Sequence, residues 1–110
     1  MTQKNITIGE LIKKEGTRVE SLMGTPHTYL YIDEFEYEIL GDDKGKEYHD
    51  LRDVLETGIF TVTLFDDEPD TVRVEGDESC YCTYYSLDCP VIDIFEDLME
   101  QMKEDLNNQN

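Results

Sequence analysis

The segment from Pro90 to Leu106 limits the possible folds more than any other part of this chain. Val91, Ile94, Phe95, Leu98, Met102 and Leu106 recur at helical spacing and make one apolar stripe. Asp88 or Cys89 precedes the run as a cap. Pro90 suits a first helical turn, where a missing N–H costs nothing. The spacing therefore predicts a helix from Pro90 to about Leu106. A helix with a single apolar stripe must bury it against a second layer, and the rest of the chain has to supply that layer.

It does so in short pieces. Thr7 and Glu10 have capping-box spacing, Ile8, Leu11 and Ile12 share a face, and Gly16 follows, so residues 7–15 read as a helix. Residues 17–23 read as a strand that stops at the turn Gly24-Thr25-Pro26. Residues 28–40 are aromatic and β-branched. Phe35, Tyr37 and Ile39 alternate with Glu34, Glu36 and Glu38, which predicts a strand with one apolar and one acidic face. Leu30 and Ile32 fall in the opposite phase, so a bulge near Asp33 in one long, bent strand is expected. Residues 41–46 read as a solvated loop. Residues 47–56 read as a short helix with Tyr48, Leu51, Val54 and Leu55 on its apolar side. Ile59 to Phe65 is a strand, Thr71 to Glu75 pairs back across the turn at 66–70, and Cys80 to Ser86 is a further strand. The order is α-β-β-α-β-β-β-α. It predicts an α+β fold: an antiparallel sheet of four to five strands packed with three helices, in a single domain over residues 1–106. Residues 107–110 form a frayed polar end.

Charge narrows the function. There are 27 acidic residues against 9 basic ones, a formal net charge of -18. Residues 51–110 contain only Arg52, Arg73 and Lys103 as cations. Such a field repels nucleic acid and anionic lipid, which are held by Lys and Arg. It attracts basic protein surfaces and speeds encounter with them. A disordered acidic tail does not fit, because Tyr, Phe, Ile, Leu and Val are patterned throughout. No apolar run is long enough to span a membrane. The polar start, Met1-Thr2-Gln3-Lys4-Asn5, predicts a cytosolic protein.

No chemistry-bearing motif stands out. There is no G-x-S-x-G and no P-loop. Cys80, Cys82 and Cys89 lie in a negative field that raises thiol pKa and disfavours a thiolate nucleophile. With His27 or His49 they could form a small Cys/His metal-binding domain, but structural zinc sites more often use wider cysteine spacing. The turn Asp66-Asp67-Glu68-Pro69-Asp70 lacks an EF-hand register. The expectation is a binding protein with neither catalytic residues nor a cofactor. Its candidate partner-binding groups are Glu34, Glu36 and Glu38 on the strand, Asp66, Asp67, Glu68 and Asp70 in the turn, and Asp93, Glu96, Asp97, Glu100 and Glu104 on the last helix. Like charges at helical i, i+4 spacing cost a few tenths of a kcal/mol per pair, roughly 0.2–0.5, and folding does not ask for them. The tyrosines add amphipathic contacts suited to an interface, including a homodimer if the chain is not a monomer.

In size, charge and acidic αβ make-up the chain resembles the small nucleic-acid-mimic inhibitors of phages and mobile elements, including anti-CRISPR proteins. The opening Asn5-Ile6-Thr7-Ile8-Gly9-Glu10-Leu11-Ile12-Lys13-Lys14, followed by a strand and acidic sheet residues, is similar in layout to acidic inhibitors of Cas nucleases that occupy the PAM-reading site. That site reads DNA with arginines, which carboxylates pair with bidentately. The resemblance implies a protein of the bacterial host cytoplasm that blocks a basic nucleic-acid-binding surface of a Cas effector. An immunity protein or antitoxin for a basic nuclease toxin needs the same surface.

Overall fold

The computed structural model describes residues 6–20, 24–79 and 81–108. Helix α1 is Ile8–Glu15. Its capping box forms as the sequence predicts: the Glu10 N–H donates to Thr7 Oγ1 at 3.1 Å, and the Thr7 N–H donates to Glu10 Oε1 at 3.0 Å. Strands β1 (Thr17–Val19) and β2 (His27–Tyr31) follow. Residues 21–23 of the expected first strand, and Cys80, lie outside the described residues.

The chain departs from expectation after Tyr31. There is no long strand. A 3-10 turn, Ile32–Phe35, leads into helix α2, Glu36–Leu55, so the expected loop at 41–46 is helical and the short helix begins eleven residues early. Ile32, Phe35, Ile39 and Leu40 also have helical spacing. Burial decides between the two periods, since Ile32, Ile39 and Leu40 all enter the core while Tyr37 stays half exposed. Gly41 kinks α2 with φ of 85°, a conformation glycine adopts without a Cβ penalty. Gly45 lies under Tyr37, where a Cβ would come within 2.6 Å of the ring.

Strands β3 (Phe60–Phe65), β4 (Thr71–Gly76) and β5 (Cys82–Ser86) then form a meander, and helix α3 is Val91–Asn108. Pro90 sits just ahead of α3, and the helix runs two residues past Leu106. The five strands make one antiparallel sheet in chain order, β1-β2-β3-β4-β5. The α+β class and element order are those the sequence predicts. Ile6 to Gly9 is stitched to the start of α3: Ile8 N–H donates to Cys89 O, Gly9 N–H to Leu87 O and Val91 N–H to Ile6 O, all at 2.8–2.9 Å.

Alternation sorts each strand. Leu30, Phe60, Val62, Val72 and Val74 point to one side and are buried with Ile8, Leu11, Ile12, Tyr48, Ile94, Phe95, Leu98 and Met102. This single cluster joins the three helices to the sheet. The other side of the sheet carries Thr17, Val19, His27, Tyr29, Tyr31, Thr61, Thr63, Phe65, Thr71, Arg73, Glu75, Cys82, Tyr84 and Ser86 by register. No described helix covers it. The result is a two-layer slab of 44 × 35 × 18 Å. No helix among the described residues is long and apolar enough to cross a membrane.

Candidate functional site: an acidic helical face

The core stripe of α3 fixes which of its residues face out. With Ile94, Phe95, Leu98 and Met102 buried, Asp93, Glu96, Glu100 and Glu104 are exposed. Glu96, Glu100 and Glu104 follow one another at i, i+4, i+8, about 6 Å per step along the axis. Asp97, which the sequence places in the same row, is half buried. It accepts the Tyr85 hydroxyl of β5 and a 3.3 Å bond from Gln101, so it ties α3 to the sheet. Asp105 likewise accepts the Tyr81 hydroxyl. Burial and the neighbouring carboxylate push the Tyr85 phenol well above its ordinary range, so it stays a donor.

Helix α2 runs beside α3 and adds to the acidic surface. Glu38, Asp42, Asp43, Glu47, Asp50 and Asp53 are exposed on it. Two ion pairs clip the helices together, Lys44 to Glu96 at 3.3 Å and Lys103 to Glu47 at 2.7 Å. Lys46 is drawn to Asp50 at 2.8 Å, which lowers the Asp50 pKa. These cations are mostly exposed, so each pair contributes on the order of 0–1 kcal/mol. Asp93, Glu100 and Glu104 make no ion pair among the described residues. An open groove lies between α2 and the end of α3. It is lined by Asp43, Lys46, Glu47, Asp50, Leu51, Val54 and Leu106, with a volume of about 440 Å³.

The other two sets of predicted residues fare differently. Glu34, Glu36 and Glu38 do not form a row on a strand. Glu34 is in the 3-10 turn, and Glu36 and Glu38 are in the first turn of α2. Glu34 and Glu38 are exposed, whereas Glu36 is 5 % exposed and points inward. The reason is Arg52, one turn from the end of α2. Its guanidinium reaches Asp33 Oδ2 and Glu36 Oε2, each at 3.2 Å. The turn at 66–70 is a hairpin connection, as predicted. Asp66 is engaged by Arg18 through two bonds of 2.6 and 2.5 Å, which hold its pKa below the ordinary range. Asp67, Glu68 and Asp70 are exposed.

Around Arg52 lies a buried polar network that the sequence reading misses. Asp33 Oδ1 accepts the Tyr48 hydroxyl at 2.6 Å, and Oδ2 accepts the Phe60 N–H at 2.9 Å. Arg52 also lies 5.3 Å over the Tyr48 ring. His49 bridges outward, with Nδ1 3.7 Å from Glu36 and Nε2 3.3 Å from Asp53. Burial raises the Asp33 and Glu36 pKa values, against the pull of Arg52 and the bonds to Asp33. The network pins the β2–α2 turn to the start of β3, which is a structural task. The available signal was Arg52 itself, a lone arginine at i+4 from Tyr48 and i+3 from His49.

No family model matches this chain, and neither a curated protein nor a solved structure is significantly similar to it. Its chemistry must be read from the side chains. Among the described residues no group of three or more His, Cys, Asp or Glu side chains is arranged to hold a metal ion. Cys82 is exposed on the outer sheet face, and Cys89 is half buried with a raised thiol pKa, chiefly from burial.

Proposed function

We propose that this protein is an inhibitor that binds a basic nucleic-acid-binding surface of another protein through the outer face of α3 and the adjoining face of α2. The supporting observation is the exposed row Asp93, Glu96, Glu100 and Glu104, on a rigid helix with Lys103 as its only cation. A rigid helix pays little further backbone entropy on binding, and its carboxylates pair bidentately with arginine. The strand row no longer contributes to this reading. Glu38 joins the helical face instead, and Glu36 belongs to the buried network. The finer form is an anti-CRISPR protein that blocks the DNA- or PAM-reading surface of a Cas effector. The mode of action is occupancy, not catalysis.

The test is affinity capture from a bacterial host lysate on immobilised protein, washed at about 50 mM and about 500 mM NaCl. The expected result is retention of a basic nucleic-acid-binding protein at low salt and its loss at high salt. Added DNA or guide-loaded substrate should compete with it. Capture of a secreted-type nuclease toxin would reassign the same surface to an immunity protein. A partner without a basic surface, held equally at both salt concentrations, would refute the reading.

A further inference from the structure

We propose that the outer face of the sheet is where two copies of this chain pair. The inference is independent of the function proposed above, because it uses the opposite side of the molecule.

Charge favours this pairing. Among the described residues, Arg73, Glu75 and His27 are the only Asp, Glu, Lys, Arg or His side chains that strand register places on this face, and Asp77, which accepts the Thr61 hydroxyl at 3.2 Å, adds one carboxylate at its edge. With -18 per chain, contact through the helices would press two acidic layers together. Contact through the sheets puts those layers on opposite outer sides of a four-layer particle. The slab is 18 Å thick, so they end up several Debye lengths of about 8 Å apart.

Side-chain chemistry favours it as well. Tyr84 is 54 % exposed and Tyr31 37 % exposed. The Tyr29 and Tyr31 rings meet edge to face at 5.6 Å, and Arg73 lies 4.8 Å over the Phe65 ring. Tyrosine and arginine are the residues enriched at protein interfaces. Arg73 is under-paired: its ion pair to Glu75 is 3.5 Å long, and Nε is buried with no acceptor among the described residues. The face spans roughly 24 by 17 Å from strand spacing and rise. With side-chain relief, two such faces bury on the order of 1,200 Å², the lower end for a specific interface.

Register makes the face self-complementary. Tyr29, Thr63, Arg73 and Tyr84 lie at one level across the sheet, and Tyr31, Thr61, Glu75 and Cys82 at the next. A two-fold axis between the sheets, crossing β4 at the level of Val74, sets Arg73 of each copy over the partner's Glu75. The same axis sets Tyr29 over the partner's Tyr31. The contact is isologous and closes as a dimer.

Sedimentation velocity of the whole chain tests this. Wild-type protein should dimerise at both about 50 mM and about 500 mM NaCl, with little change between them, because the acidic layers already lie several Debye lengths apart. Arg73→Glu and Glu75→Arg each place like charges together and should weaken association by about tenfold or more. Mixing the two variants restores both opposite-charge contacts, so the mixture should dimerise while neither variant does alone. Circular dichroism checks that both are folded. Tyr31→Ser with Tyr84→Ser, which changes no charge, should also weaken the dimer. A wild-type monomer at both salt concentrations, single variants that dimerise like wild type, or a mixture that stays monomeric would overturn the proposal.

Discussion

On the helical side, α2 and α3 carry thirteen Asp and Glu residues against four Lys and Arg, while register places only Glu75 and Arg73 from these groups on the outer sheet face. The two sides are built by different rules. A helix can load most of its circumference with charge, because one stripe suffices for the core. A strand shares its outer side with directly opposed neighbours, and like charges there repel at close range. Net charge therefore says little about any one surface of this protein. The charge is sorted by secondary structure, leaving an aromatic sheet face behind an acidic helical one.

The largest expected effect tests whether every acid of α2 belongs to that surface. Arg52→Met leaves Asp33 and Glu36 buried without a cation, and should destabilise the fold by about 3–5 kcal/mol in urea at neutral pH. A loss under about 1 kcal/mol would return Glu36 to the surface set. Gly41→Ala meets no neighbour within 4 Å, so its cost is conformational alone, about 1–2 kcal/mol for a positive φ. No loss would mean that α2 is not kinked there, and the acids on either side of Gly41 would then face other directions.

The pH dependence compares buried with exposed carboxylates. Asp33 and Glu36 have folded pKa values raised above their unfolded ones, so the folded state holds more protons just above the ordinary carboxylate range. Stability then falls as pH rises through that window. Relief of the overall negative charge acts in the same direction. Asp66, Asp50 and Glu10 have lowered values, so their contribution is lost as pH drops below the ordinary range. The melting temperature should rise from about pH 8 to about pH 5 and turn down below about pH 4. A monotonic fall from pH 8 downward would contradict the assignment of Asp33 and Glu36 as the dominant buried acids.

How much of this was legible in the sequence depended on whether two periods competed. In α3 only the helical period fits, and in β3 and β4 only alternation does, so both are readable, while β5 is marked by its tyrosines. Thr7 and Glu10 marked the start of α1 for a local reason, since a capping box needs no tertiary partner. Residues 28–40 satisfy both periods at once. Phe35, Tyr37 and Ile39 alternate, yet Ile32, Phe35, Ile39 and Leu40 also repeat helically. The contacts that decide are long-range: Asp33 is held by Tyr48, Phe60 and Arg52, fifteen to twenty-seven residues away. Hence the helical period gives the outward facing of Asp93, Glu96, Glu100 and Glu104 but not the half-burial of Asp97, whose tyrosine partner lies on β5, and alternation misplaces Glu34, Glu36 and Glu38.

The smallest expected change in stability accompanies the largest expected change in binding. Replacing Glu96, Glu100 and Glu104 together by Lys exchanges one like-charge row for another, sets lysines beside Asp93 and Asp97, and breaks, among the described residues, only the exposed pair to Lys44, so stability should move by less than about 1 kcal/mol. The most direct test sets this triple variant beside the Tyr31→Ser/Tyr84→Ser variant in the same lysate capture, at about 50 mM and about 500 mM NaCl. The basic partner should be retained by wild type and by the sheet-face variant, lost from the triple-lysine variant, and lost from all at high salt. Equal retention by the folded triple-lysine variant would contradict the claim that the acidic helical face is the binding surface.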